Sequence, residues 1–188
     1  MDAFLSTLIF TALAEMGDRT QILCAALALR FRHDGMILAA VALATLLNSA
    51  VSALAGATVG GWISQDPLTL FYALALLFAG IGMLVWRRPV DLLEHWQTGA
   101  FTTAFLGILI LQFGDKGQFL IAATAARSQA AGFALAGGWL GTMIALLPAV
   151  LLRERLAQLV PLKAIRMAGG AVFLVLGAVH GLMAWRLI

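Results

Sequence analysis

The chain has 188 residues, 62% of them hydrophobic and only 11% charged, with a mean hydropathy of +0.98. A soluble globular domain is about half apolar and about a quarter charged, so this composition excludes one and indicates an integral membrane protein. The net charge of +3 and the pI near 9.8 come from Lys and Arg in the connections, and they fit membrane orientation better than nucleic-acid binding.

Six spans are predicted in chain order: about 2–29, 36–61, 68–86, 98–127, 131–152 and 165–187. Their lengths suit transmembrane helices, and no alternation of the β-barrel kind is present. The expected fold is therefore an all-α integral membrane protein, one transmembrane domain over 1–188. No basic segment precedes the first run, whose only early charge is Asp2, so it reads as mature structure rather than a signal peptide. The connections are short: "RFRHDG", "SQDP", "RRPVDLLEHWQ", "RSQA" and "RERLAQLVPLK". The single Cys24 excludes an internal disulfide and a multi-thiolate metal site.

Span one carries "AEMGDRTQ" (14–21) near its middle, and span four carries "LQFGDKGQ" (111–118) in the same place. Asp18 and Asp115 are 97 residues apart, as are Gly80 and Gly177 in spans three and six. "PLT" at Pro67 and "PLK" at Pro161 open the third helix of each half, and "VWR" ending at Arg87 and "AWR" ending at Arg186 close them. "GGW" at Gly60 and at Gly137 falls outside this register and reads as coincidence. The common order predicts two repeats, 1–87 (spans 1–3) and 98–188 (spans 4–6). Three is odd, so the halves enter the membrane from opposite sides. Such inverted repeats are a transporter architecture with a site at the midplane.

Loop charge sets the orientation. Arg30, Arg32, Arg87, Arg88, Arg153, Arg155, Lys163 and Arg166 lie in loops 1–2, 3–4 and 5–6, against Arg127 and Arg186 on the other face. Positive-inside bias then places those three loops in the cytoplasm and both termini outside.

The two charged phrases are costly. As straight helices, spans one and four would reach roughly 42–45 Å against a hydrocarbon core of about 30 Å. One charge at the bilayer centre costs roughly 2.5–3.5 kcal/mol, so Glu15, Asp18, Arg19, Asp115 and Lys116 must pair, meet water or bind an ion. The glycine before each aspartate lets the backbone open there. Helical spacing puts Glu15 with Asp18, and Gln112 with Asp115, on one face, and lets Glu15 pair with Arg19. Two helices crossing at the glycines would gather four oxygen-bearing side chains: Glu15, Asp18, Gln112 and Asp115. Thr20, Gln21, Gln118 and Asn48 could add neutral oxygens, with Asn48 equally suited to interhelical hydrogen bonding. Oxygen-only coordination suits Mg²⁺, Ca²⁺ or Mn²⁺, and carboxylates can exchange a metal for protons. Elsewhere ordinary roles suffice: His33 and His95 as loop residues, His180, Cys24 and the seven Met as packing, Pro148 as a kink.

At "EMGDRTQ" and "QFGDKGQ" the sequence resembles a family of small six-span cation/proton antiporters with two E-x-G-D-(K/R)-(S/T) motifs. It includes the Golgi manganese/calcium transporter and bacterial MneA-type manganese exporters. Glu15, Gly17, Asp18, Arg19 and Thr20 match the first motif fully. In the second, Gly114, Asp115 and Lys116 match, while Gln112 stands for glutamate and Gly117 for serine or threonine. The resemblance implies a secondary transporter that exports divalent cations, Mn²⁺ foremost and Ca²⁺ next, in exchange for protons. It would have no cofactor and no enzymatic activity. The metal ligands would be Glu15, Asp18, Gln112 and Asp115, supported by Arg19, Thr20, Gln21, Asn48, Lys116 and Gln118. The expected setting is a bacterial inner membrane, with lipid, divalent cations and protons as partners and a functional monomer.

Two other readings compete with this one. An intramembrane aspartyl protease also pairs two aspartates, but the Arg or Lys after each one opposes the shared proton such a dyad needs. An exporter of amino acids or other small organics needs free donors or unpaired cations, whereas this site has three acids against two bases.

Overall fold

Apolar runs without strand periodicity can satisfy their backbone in lipid only as helices. The computed structural model, which describes residues 1–85 and 89–187, is helical with no strand among them. Helices α1 (Asp2–Glu15), α2 (Arg19–Phe31), α3 (Asp34–Trp62) and α4 (Gln65–Val85) form the first half. Helices α5 (Ala100–Gln112), α6 (Lys116–Ser128), α7 (Ala131–Leu152), the short α8 (Arg155–Leu159) and α9 (Leu162–Ala184) form the second. Trp86, Arg87, Arg88 and Ile188 lie outside the described residues. With them go the end of the third predicted span, the "VWR" match, two of the loop cations and the outer limits of both predicted repeats.

Four helices, α3, α4, α7 and α9, are long and apolar enough to cross a membrane. The α5–α6 pair, bent by 64°, makes a fifth span if taken as one. The chain is thus a multi-pass membrane protein. Within "RERLAQLVPLK", expected as plain loop, the five residues of α8 are helical. Pro148 lies inside α7, and the helix continues through it to Leu152.

The breaks in the two charged phrases have the same local form. Met16 and Phe113 are extended, Gly17 and Gly114 adopt φ of 72° and 73°, and Asp18 and Asp115 are the extended N-caps of α2 and α6. Positive φ is the region where glycine has no steric penalty, and a glycine supplies it in both places. The glutamine three residues after each aspartate reaches back: Gly17 N–H donates to Gln21 Oε1 and Gly114 N–H to Gln118 Oε1, both at 2.9 Å. Each second helix ends in a left-handed residue, Arg32 or Gln129.

Small residues let the helices approach. A Cβ on Gly137 or Gly141 would strike the α1 backbone at Phe4 and Leu8, and one on Gly56 or Gly60 would strike α6 at Ala122 and Ala126. Gly60 and Gly137 therefore serve different helix pairs. Two apolar clusters flank the breaks. One joins α2, α3, α5 and α7 around Leu27, Ile37, Ile108 and Leu146; the other joins α1, α4, α6 and α9 around Ala14, Leu76, Leu120 and Phe173. The charged phrases lie between them.

Candidate functional site

The break changes what the sequence spacing predicts. Asp18 is not one turn beyond Glu15 on a shared face, and Arg19 is not its i+4 partner, because the helix stops at Glu15 and a new one starts at Arg19. The same holds for Gln112 and Asp115. The two α-helical starts, at α2 and α6, aim their partially positive ends at this level, and α1 and α5 end there with partially negative ends.

An N-cap aspartate ordinarily accepts from its own helix amides. Neither Asp18 nor Asp115 does so. Their carboxylates turn to Lys116, whose Nζ lies 2.7 Å from Asp18 Oδ2 and 3.1 Å from Asp115 Oδ2. The Lys116 side chain is 5% exposed, so one buried ammonium bridges the acids of both phrases. Such a pair balances its desolvation only through close geometry, which these distances provide.

Two cavities meet at Asp115. The larger, about 130 Å³, is lined by Asp18, Arg19, Phe78, Gly82, Asp115 and Lys116 among others. The smaller, about 10 Å³, is lined by Glu15, Gln112, Asp115 and Gln118, with Asn48, Ser49 and Thr142 facing them from α3 and α7. Glu15 is 1% exposed, and its Oε2 has no hydrogen-bond partner. Glu15, Gln112 and Asp115 thus share one cavity, while Asp18 lines the other. Among the described residues no group of three or more His, Cys, Asp or Glu side chains is arranged to hold a metal, so any oxygen set here must include neutral groups.

The supporting residues divide by contact. Thr20 is buried beside the break, one residue into α2. Gln21 Nε2 donates to the Ala145 carbonyl at 2.8 Å. Gln118 Nε2 donates to Asn48 Oδ1 at 2.9 Å, and Asn48 Nδ2 donates to the Leu109 carbonyl at 3.3 Å and Gln112 Oε1 at 3.4 Å. Arg19 lines the larger cavity. His180 meets the Leu176 carbonyl and the Tyr72 ring, and Cys24 is buried in the first apolar cluster. Ser49 and Thr142 escape a reading of motifs. Their one sequence signal is that Thr142 follows the buried Thr45 by 97 residues, the offset of the two aspartates.

A relative in Vibrio cholerae serotype O1, named "Putative manganese exporter", is 34% identical over 167 residues, covering 88% of this chain and 83% of the relative. No solved structure matches the chain. The sequence model of the divalent cation/proton antiporter GDT1 family matches residues 3–90 and 100–186, nearly the whole length and both charged phrases, and the chain belongs to that family.

Proposed function

We propose that the protein exports divalent cations, Mn²⁺ foremost and Ca²⁺ next, from the cytoplasm in exchange for protons. The observation that carries the reading is that two broken helices bring Asp18 and Asp115 to the Lys116 ammonium, and Glu15 and Gln112 to a cavity that Asp115 also lines. These four are the ligands, and Arg19, Thr20, Gln21, Asn48, Lys116 and Gln118 support them. A cation entering by the larger cavity takes over the two aspartates from the ammonium. Oxygen donors of this kind suit hard divalent ions. Family membership supports proton exchange, and the V. cholerae relative's name supports manganese and export.

The architecture that serves this exchange is six spans in two inverted repeats. α1–α2, α3 and α4 correspond to α5–α6, α7 and α9. The matched backbone of the breaks supports it, as do the glutamine caps and the two-part family match. Loop charge supports both termini lying outside the cytoplasm, and the V. cholerae relative supports a bacterial inner membrane as the setting. The bridging ammonium also disfavours an aspartyl protease dyad, since it occupies the place of the shared proton.

The test is flux in proteoliposomes with Mn²⁺ or Ca²⁺, with and without a pH gradient. Metal flux driven by an opposing proton gradient is expected. No metal flux, or flux indifferent to the pH gradient, would overturn the reading. Cells lacking the protein should be sensitive to excess Mn²⁺, and greater resistance would reverse the direction.

A further inference from the structure

Buried hydroxyls in this bundle are normally satisfied within it. Thr7, Thr11, Thr45, Ser52 and Thr124 each hydrogen-bond a carbonyl one turn earlier, and Thr103 bonds Thr98. Ser49 and Thr142 differ. They are 3% and 4% exposed, yet neither makes a hydrogen bond among the described residues. Their hydroxyl oxygens are not sealed within the protein but open onto unfilled space. Both line the same small cavity, one from α3 and one from α7. The unpartnered Oε2 of Glu15 belongs to a third lining residue of that cavity, and Glu15 is almost fully buried.

Three unspent oxygen groups around a space of about 10 Å³ are a concentration of donors without a recipient. Such a volume is about one water-sized sphere. It admits a bare ion and excludes a hydrated one. We infer that this cavity is the seat of the dehydrated divalent cation, and that the Ser49 and Thr142 hydroxyls are neutral ligands that complete it with Glu15, Gln112 and Asp115 and set its metal selectivity. The inference rests on the transport reading above and deepens it. Two carboxylates balance the ion's charge, and the hydroxyls and the amide add coordination without adding charge. Asn48 acts as a positioning residue, since its Oδ1 already accepts from Gln118 and its amide holds Gln112. Asp18, the fourth ligand, and Lys116 line the larger cavity, where the ion is first met before it passes to this seat.

Selectivity follows from size and dehydration. Ca²⁺ needs the longer contacts of 2.3–2.6 Å and hence a roomier seat than this one, and Mg²⁺ gives up its waters reluctantly. Mn²⁺ is therefore the preferred ion.

The experiment is concentration-dependent flux of Mn²⁺ and of Ca²⁺ in proteoliposomes containing the full chain, with Mn²⁺-induced thermal shift as a second readout. Ser49→Ala and Thr142→Val should each raise the Mn²⁺ concentration for half-maximal flux on the order of ten-fold. Ser49→Ala, which enlarges the seat, should also move preference toward Ca²⁺. Thr142→Ser should recover most of what Thr142→Val loses. Ser52→Ala, whose hydroxyl serves its own helix, should leave half-saturation unchanged. Unchanged half-saturation and unchanged Mn²⁺/Ca²⁺ ratio in both Ser49→Ala and Thr142→Val would overturn the inference while leaving the transport reading intact. Absence of metal flux in the unaltered protein would instead remove the transport reading.

Discussion

The breaks at 16–18 and 113–115 share one backbone and differ in almost everything that touches it. Gly17 is covered: a Cβ there would meet the Leu162 carbonyl oxygen at 3.0 Å. Gly114 is open, with nothing within 4 Å of the same position. Gln21 spends its amide on a backbone carbonyl of α7, whereas Gln118 spends its own on the Asn48 side chain of α3. Lys116 bridges both aspartates, while Arg19 makes no ion pair among the described residues. The first break contributes a buried carboxylate at Glu15; the second has Gln112 in the matching place. The difference teaches that the two breaks repeat a backbone device, and that the chemistry is divided between them. One half brings the extra negative charge, and the other brings the ammonium and the neutral amides.

The largest effects should come from the acids the two breaks share. Asp18→Asn and Asp115→Asn should each reduce Mn²⁺ flux in proteoliposomes to the protein-free background, with normal insertion checked by monodisperse elution. Near-normal flux from either variant would mean the breaks act separately.

Next is Lys116→Met, which leaves two half-buried aspartates without their common buried cation. Removing one partner of a buried ion pair costs up to about 3–5 kcal/mol. Thermal stability should fall, and added Mn²⁺ should restore part of it by replacing the ammonium. Arg19→Met should lose much less, and equal losses would erase the contrast between the basic residues.

The glycines give a smaller, direct test. Either alanine substitution strains a left-handed residue by roughly 1–2 kcal/mol. Gly17→Ala should cost more than Gly114→Ala in a denaturation midpoint, because only Gly17 has a carbonyl against it. The opposite order would contradict the difference in cover.

Gln112→Glu makes the two breaks alike in charge. It should retain Mn²⁺ flux while altering its pH dependence or its preference for Ca²⁺. A profile superimposable on the parent's would show that position 112 does not sense the ion.

The smallest effect concerns the pooled charge. Glu15, Asp18 and Asp115 against Arg19 and Lys116 sum to −1 when all are ionised. One divalent cation brings this to +1, and two protons do the same. Equal charge in both loaded states limits the difference in desolvation between them. Metal flux at equal pH should therefore respond little to an imposed membrane potential. A strong dependence would exclude two-for-one exchange.

The sequence by itself determined the membrane class, the apolar runs that form α3, α4, α7 and α9, and the position of both breaks. Hydropathy is additive along a helix, and a glycine followed by charges in an over-long apolar run can be read locally. Local reading reached too far with Glu15, Asp18 and Arg19, since i, i+3 and i, i+4 faces exist only while the helix continues. The tertiary structure alone decided that Lys116 rather than Arg19 holds the aspartates, that Asp115 borders both cavities, and that Glu15 shares its cavity with Gln112 and not with Asp18. It alone placed the Ser49 and Thr142 side chains at the small cavity. In an apolar helix a serine or threonine has the same sequence signature whether it bonds the carbonyl one turn back or faces a cavity. Which of the two it does depends on the helices packed across from it, and those are set by contacts a hundred residues away.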